Sequence, residues 1–184
     1  MKVLFLDNDG VICLSTEWGS RYKKQKKWGG RKLSMTPREV PMEYRLDNFN
    51  KKAIAVLNQI LEVTGAEIVV SSDWRYHASL EELQNYYKEQ GISKGPISTT
   101  NRTEEIDPRL WEKEFRNFAK LEKERAFEID YWLRKNPEVT SWVAVDDLDM
   151  SEFLGENFVH TPKSSEGIKQ TGIKEKIIKI LNND

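Results

Sequence analysis

The feature that most constrains this chain is a short apolar run near its start that ends abruptly in two acids. Residues 3–6 are all apolar, and residues 7–10 read Asp-Asn-Asp-Gly. A short apolar run bounded by a turn signal predicts a buried parallel strand. In open α/β sheets ligands bind at the carboxyl ends of strands, which is where Asp7 and Asp9 fall. The plainer interpretation, a polar turn after a strand, stays open on this motif alone.

Two more apolar runs end in polar side chains in the same way. Residues 67–70, of which the last three are apolar, lead into Ser71 and Ser72, and residues 142–145 lead into Asp146 and a second acid. Amphipathic stretches separate these runs, which predicts an α/β protein with a Rossmann-like three-layer α/β/α fold and a mainly parallel sheet. Because parallel strands end at one edge of a sheet, we expect the acids and Ser71 to converge there.

Four acids at one place would not all stay ionised without a cation. The converging carboxylates are those of Asp7, Asp9, Asp146 and Asp147. Like charges at close range disfavour ionisation, and oxygen ligands suit a hard divalent ion. The sequence therefore predicts a Mg²⁺ site.

Length and composition restrict the domain organisation and the kinds of partner. A chain of 184 residues fits one domain over 1–184. Residues 13–50 show little apolar periodicity, which predicts a loop or small cap inserted after the first strand. The net charge of −1 gives no global attraction to nucleic acid. One cysteine, no signal peptide and no apolar stretch able to span a bilayer favour a cytoplasmic protein without membrane contact. No protein partner is indicated.

The three strand ends together resemble the haloacid dehalogenase (HAD) superfamily of aspartate-nucleophile phosphatases. Motif one matches residues 7–10, motif two Ser71, and motif four residues 146–147. The strings VVSSDWR, ERAFEIDYWL and VAVDDLDM further resemble the HAD domains of Swiss Army Knife RNA repair proteins. The superfamily usually has a lysine as the basic residue of motif three. Here that residue falls within KERAFEI, where the spacing to Ile129 favours Arg125, and Lys123 remains an alternative to it.

The resemblance implies a role for each matched residue. Asp7 would be the nucleophile that forms an aspartyl-phosphate, and Asp9 the general acid and base. Mg²⁺ would be held by Asp7, the main-chain carbonyl of Asp9, and the acids of motif four. The phosphoryl oxygens would be bound by Ser71, Ser72 and Arg125, where charge must be stabilised during transfer.

A basic run inside the predicted insertion bears on the substrate. Residues 21–32 contain seven basic residues and no acid. Such a run is either a solvated loop or a flap that grips a polyanion, with Tyr22 or Trp28 stacking on a base. The candidate substrate-binding residues are Lys23, Lys24, Lys26, Lys27, Trp28 and, beyond the second strand, Arg75.

We therefore expect a phosphatase acting on phosphorylated nucleic-acid ends or nucleotides, in RNA repair or processing. Two alternatives remain open from the sequence. One is a phosphatase for a small metabolite. The other is a catalytically weak fold that binds RNA or a partner, against which two intact acids in the first motif argue.

Overall fold

The computed structural model describes residues 1–28, 40–107, 109–110 and 121–183. Its strands form one parallel sheet in the order β3-β2-β1-β4-β5. The strands are β1 Lys2–Leu6, β2 Glu67–Val70, β3 Ser98–Thr99, β4 Ser141–Asp146 and β5 Phe158–His160. The predicted parallel sheet is confirmed. The two-residue β3 is too short to leave a periodic signal in the turn-rich sequence around it.

Strand β1 lies at the centre of the sheet, and its register brings the three polar strand ends together. Leu6 is opposite Val70 of β2 and Val145 of β4. Immediately beyond, the Asp7 amide donates to the Val145 carbonyl at 3.1 Å and the Ser71 amide donates to the Leu6 carbonyl at 3.1 Å. The first aspartate and the motif-two serine therefore leave the sheet side by side.

Helices cover both faces of this sheet. Side chains alternate along β1, so that Leu4 and Leu6 belong to one apolar cluster and Val3 and Phe5 to another. In the described residues the helices are α1 Ser20–Trp28, α2 Met42–Arg45, α3 Lys51–Thr64, α4 Leu80–Glu89, α5 Leu121–Lys135, α6 Ser151–Leu154 and α7 Ile173–Asn182.

The first cluster packs against α3, α4 and α7, and the second against α5 and α6, which gives the predicted three layers. None of the helices within the described residues is long and apolar enough to cross a membrane.

Two of the helices begin at residues whose side chains cap them. The Asn50 side chain accepts hydrogen bonds from the amides of the first turn of α3, and Gly65 ends that helix with a φ of 69°. Ser79 and Glu82 form a reciprocal capping box at the start of α4. These caps satisfy amides that the first turn of a helix leaves without intrahelical partners.

The predicted insertion over 13–50 contains two helices, α1 and α2, rather than only loop. Periodicity did not reveal α1 because this helix is polar around nearly its whole circumference. The start of α1 is held by the buried carboxylate of Asp47, which accepts hydrogen bonds from the amides of Gly19 at 3.0 Å and Arg21 at 2.8 Å. Residues 29–39 of the insertion lie outside the described part of the chain.

Candidate active site

Three carboxylates form a compact cluster at the carboxyl end of the sheet. Asp7, Asp146 and Asp147 each offer one oxygen, and these oxygens all lie within 4.8 Å of one another. Burial, followed by the charge of Asp146, raises the pKa of Asp7 well above its ordinary value. Burial likewise raises the pKa of Asp146 and of Asp147. Oxygen ligands at this spacing, with ionisation opposed by burial, fit a hard divalent cation such as Mg²⁺.

Gly10 is what allows the third carboxylate to reach this cluster. Its φ of +71° lies in the left-handed region, and a Cβ there would lie 2.1 Å from Oδ2 of Asp147. Any side chain would therefore displace the Asp147 carboxylate as well as strain the backbone. The glycine of the first motif is needed for both the turn and the acid cluster.

The loop that carries the first motif is held by its own backbone and by a tyrosine. The Asn8 carbonyl accepts from the amides of Ile12 at 3.0 Å and Cys13 at 2.7 Å. The buried hydroxyl of Tyr87 on α4 donates to the Asn8 side chain. Burial raises the pKa of Tyr87, so the phenol stays protonated and keeps this hydrogen bond at neutral pH. Asp7 and Asp9 therefore project from a fixed turn.

Arg125 on α5 joins the carboxylates that the sequence predicts to converge. Its Nη1 lies 3.2 Å from Oδ1 of Asp7 and 2.9 Å from Oδ2 of Asp146, and its Nη2 lies 3.0 Å from Oδ1 of Asp73. Burial acts to lower the pKa of Arg125, but the surrounding carboxylates outweigh it and raise that pKa. The structure thus brings a permanently charged guanidinium to the proposed nucleophile.

The second acid of the first motif is held by a tryptophan. Nε1 of Trp74 donates to Oδ2 of Asp9 at 2.8 Å. The indole is stacked on Phe49, with ring centroids 5.1 Å apart and planes inclined by 16°. Nothing in the sequence spacing shows that the N–H of Trp74 faces the first motif from 65 residues away.

The residues after β2 divide into those beside the acids and those that build the turn. Ser71 lies at the strand end beside Asp7 and is buried. Ser72 is also buried, and its hydroxyl accepts from the Trp74 amide at 3.4 Å, which caps the 3₁₀ turn Asp73–Tyr76. The structure therefore gives Ser72 a structural partner, while Ser71 is the serine that stands next to the carboxylate cluster.

Arg75, a candidate substrate-binding residue by sequence, is buried and engaged elsewhere. Its guanidinium donates to the Ser71 carbonyl and to Glu128. Glu128 in turn accepts from the Thr103 amide at 2.9 Å and hydroxyl at 3.1 Å. Burial raises the pKa of Glu128 to about 7, against the opposing effect of Arg75. This ion pair connects the turn after β2 to α5, three residues beyond Arg125, and does not present Arg75 to a substrate.

Comparison with known proteins identifies the family. Residues 3–172 match the family described as the HAD domain in Swiss Army Knife RNA repair proteins. The chain belongs to this HAD family. The family assignment confirms the resemblance on which the roles above were based. Neither the curated proteins nor the solved structures contain a match to the chain.

The basic helix α1 of this HAD domain is only partly available for substrate. Nζ of Lys24 is half-buried and donates to the carbonyl of Leu46 at 3.2 Å and to Oδ1 of Asn48 at 3.0 Å, and burial lowers the pKa of Lys24. This lysine therefore fastens α1. The exposed lysines of the helix are Lys23, Lys26 and Lys27, whereas the side chain of Trp28 lies outside the described part.

Proposed function

We propose that this HAD domain is a Mg²⁺-dependent phosphatase that hydrolyses phosphomonoesters through an aspartyl-phosphate, acting on nucleic-acid ends or nucleotides. One observation carries the proposal. The buried Asp7 carboxylate is bound by Arg125 and lies within 4.8 Å of the other two acids, with Asp9 two residues further along a fixed turn. A structural acid cluster has no need of a second, partly exposed acid at that position.

In the first step an oxygen of Asp7 attacks phosphorus and the bond from phosphorus to the leaving oxygen breaks. Asp9 gives its proton to that leaving oxygen, so the alcohol departs neutral. Trp74 holds one carboxyl oxygen of Asp9, which leaves the other to carry the proton. Arg125 and Ser71, which flank Asp7, bind the phosphoryl oxygens, on which the charge of the transition state is spread.

In the second step water cleaves the aspartyl-phosphate. Asp9, now ionised, takes a proton from the water as its oxygen bonds to phosphorus, and the bond from phosphorus to Asp7 breaks. Inorganic phosphate leaves, and both carboxyl groups return to their starting states. Dividing one difficult displacement between two easier ones is the advantage of the covalent route.

The carboxylates of Asp7, Asp146 and Asp147, with the main-chain carbonyl of Asp9, would hold Mg²⁺. The ion would supply positive charge that keeps Asp7 ionised and neutralises the phosphoryl group. Arg125 carries one positive charge, whereas the three acids carry three negative charges when they are all ionised. A second source of positive charge is therefore required.

Two features support nucleic acid as the substrate class. The family is described by its occurrence in RNA repair proteins. The inserted helix α1 also presents three exposed lysines, Lys23, Lys26 and Lys27, on a chain whose net charge is −1. A local basic surface is what lets a chain without positive net charge hold a phosphate backbone.

A panel of phosphorylated substrates tests this function. Phosphate release is measured on 3′- and 5′-phosphorylated oligonucleotides, on nucleotides and on sugar phosphates, with Mg²⁺ and with excess chelator. We expect hydrolysis of oligonucleotide ends or nucleotides in Mg²⁺ and none in chelator. Hydrolysis of sugar phosphates alone would indicate a metabolite phosphatase. Binding of oligonucleotides with no hydrolysis of any substrate would indicate a binding module.

A further inference from the structure

Two large aromatic side chains at the start of the inserted helix are exposed. Trp18 is 49% exposed and Tyr22 is 55% exposed. Tryptophan and tyrosine contribute large apolar surfaces that usually pack inside a protein, so neighbouring exposed rings indicate a binding surface. The ring of Tyr22 lies over Gly19, since a Cβ on that glycine would be 3.7 Å from its Cδ2.

Trp18 lies directly beside the first motif. Its Nε1 donates to the Cys13 carbonyl at 3.2 Å, and the amide of Gly10 donates to the same oxygen at 2.9 Å. One carbonyl oxygen thus joins the indole to the residue that follows Asp9. The exposed ring therefore stands at the side of the site where Asp9 is found.

A guanidinium accompanies these rings. Arg21 lies over the ring of Tyr22, 5.0 Å from its centroid, and donates to the Tyr22 hydroxyl at 3.2 Å. Burial acts to lower the pKa of Arg21, but the hydrogen bond to Tyr22 and the charges of Asp47 and Asp9 raise it. Within the described residues no carboxylate lies at ion-pair distance from this guanidinium.

The surface formed by Trp18, Arg21 and Tyr22 is held in place by the rest of the insertion. Asp47 binds the amides of Gly19 and Arg21, and Lys24 is tied to the residues next to Asp47. A surface ordered before a ligand arrives loses less conformational entropy on binding.

We propose that Trp18, Arg21 and Tyr22 form the subsite for the leaving group and that this subsite takes the nucleobase and adjoining phosphate of a phosphorylated nucleotide. The inference rests on the proposed function, because a general acid must face the leaving oxygen and the leaving group must then lie on the Asp9 side. The base stacks on the Trp18 ring, as bases do on aromatic platforms in proteins that bind single strands. Arg21 binds the phosphate of the next nucleotide.

Matched substrates isolate the contribution of the base. Two short oligonucleotides carry the same terminal phosphate, but in one the terminal residue has its base and in the other it is abasic. The leaving alcohol and the remaining phosphates are identical, so the ratio of kcat/KM for the two reports only on the base. Uridine 5′-monophosphate and ribose 5-phosphate form a second such pair for an enzyme that acts on mononucleotides.

The variants are Trp18→Leu, Trp18→Phe and, as a control, Val63→Ala, which changes an exposed apolar side chain on α3. We expect the wild-type protein to prefer the base-bearing substrate by roughly tenfold or more, the range that stacking of one base supplies. Trp18→Leu should lose this preference through KM, Trp18→Phe should keep most of it, and Val63→Ala should keep all of it. No preference in the wild-type protein, or an unchanged preference in Trp18→Leu, overturns the inference.

A binding measurement separates failure of this inference from failure of the proposed function. Asp7→Asn protein is titrated with a 3′-phosphorylated dinucleotide and, separately, with its abasic counterpart. Stronger binding of the base-bearing form that Trp18→Leu abolishes would support the subsite even if no phosphatase activity were found. Equal binding of the two forms by the Asp7→Asn protein, with hydrolysis of both by the wild-type protein, would reject the subsite and leave the phosphatase standing.

Discussion

The indole nitrogen of Trp74 lies 2.8 Å from Oδ2 of Asp9. This hydrogen bond crosses from the turn after β2 to the loop after β1, so it joins the second motif of the family to the first. Trp74 is buried and stacked on Phe49, which restricts the indole to one orientation. The contact makes Trp74 a positioning residue for the proposed general acid.

Replacing Trp74 by Phe should therefore slow reactions that need a general acid. Trp74→Phe keeps an aromatic ring against Phe49 and removes only the N–H donor. We expect kcat/KM for an alkyl phosphate, which reports on the steps through formation of the aspartyl-phosphate, to fall by roughly tenfold to a hundredfold, part of the total that general acid catalysis supplies. The kcat/KM for 4-nitrophenyl phosphate, whose leaving group needs no proton in that first step, should change little.

Trp132→Phe is the matched control for that variant. Trp132 is also buried and donates through its indole N–H, to the Ser98 hydroxyl at 3.1 Å, at a place remote from the first motif in the sequence. It should not change the ratio of the two rates. An equal fall of kcat/KM for both substrates in Trp74→Phe would show that the contact to Asp9 does not serve general acid catalysis.

Asp7→Asn should abolish turnover and leave the protein folded. An amide cannot act as the attacking carboxylate, so we expect phosphate release to fall by several orders of magnitude. The variant also removes a buried acid whose pKa is raised mainly by burial, so its melting temperature without Mg²⁺ should not fall. Near-normal turnover in Asp7→Asn would contradict the covalent mechanism.

Gly10→Ala should weaken the metal site, and Gly65→Ala is its control. Both glycines have φ near 70°, so both variants carry a similar backbone penalty of about 1 kcal/mol. The two variants differ in what the new Cβ contacts. At Gly10 the Cβ would collide with the Asp147 carboxylate, whereas at Gly65 no atom lies within 4 Å of the Cβ. We expect the rise in melting temperature caused by Mg²⁺ to shrink in Gly10→Ala and to persist in Gly65→Ala. The same rise in both variants would remove Asp147 from the metal site.

The exposed lysines of α1 should govern binding of oligonucleotides. Changing Lys23, Lys26 and Lys27 to Ala should weaken oligonucleotide binding and flatten its dependence on salt, because each phosphate contact adds to the slope of log affinity against log salt. Hydrolysis of 4-nitrophenyl phosphate should barely change. Lys24→Ala should instead lower the melting temperature, since Lys24 is bound to Leu46 and Asn48. An unchanged salt slope in the triple variant would assign these lysines to a solvated surface.

The buried Glu128 predicts how stability depends on pH. Its pKa in the folded protein is about 7, above the ordinary 4.5, so between these values the folded state holds a proton that the unfolded state has lost. The free energy of unfolding therefore falls as pH rises from about 4.5 to about 7, by roughly 1.4 kcal/mol for each pKa unit. In Glu128→Gln this contribution is absent.

Urea denaturation at several pH values measures that difference. The stability of the wild-type protein relative to Glu128→Gln should decline across this window and be constant above it. A relative stability that rises with pH would mean that the ion pair with Arg75 outweighs burial.

The sequence by itself determined the parts of this protein that are local in the chain. Short apolar runs predicted β1, β2 and β4. The rule that parallel strands end at one edge of a sheet predicted that Asp7, Asp146 and Ser71 lie close together. These signals are readable because each depends on side-chain periodicity or on a few neighbouring residues.

Only the tertiary structure decided which distant side chains meet. It gave Asp9 its partner Trp74, moved Arg75 from a candidate substrate contact to a buried pair with Glu128, and divided the lysines of α1 into one anchor and three exposed cations. It also formed α1 without an apolar stripe, by capping through Asp47 from 26 residues away. Such contacts depend on how α1, α5 and the turn after β2 pack against the rest of the protein, and the local sequence does not specify that packing.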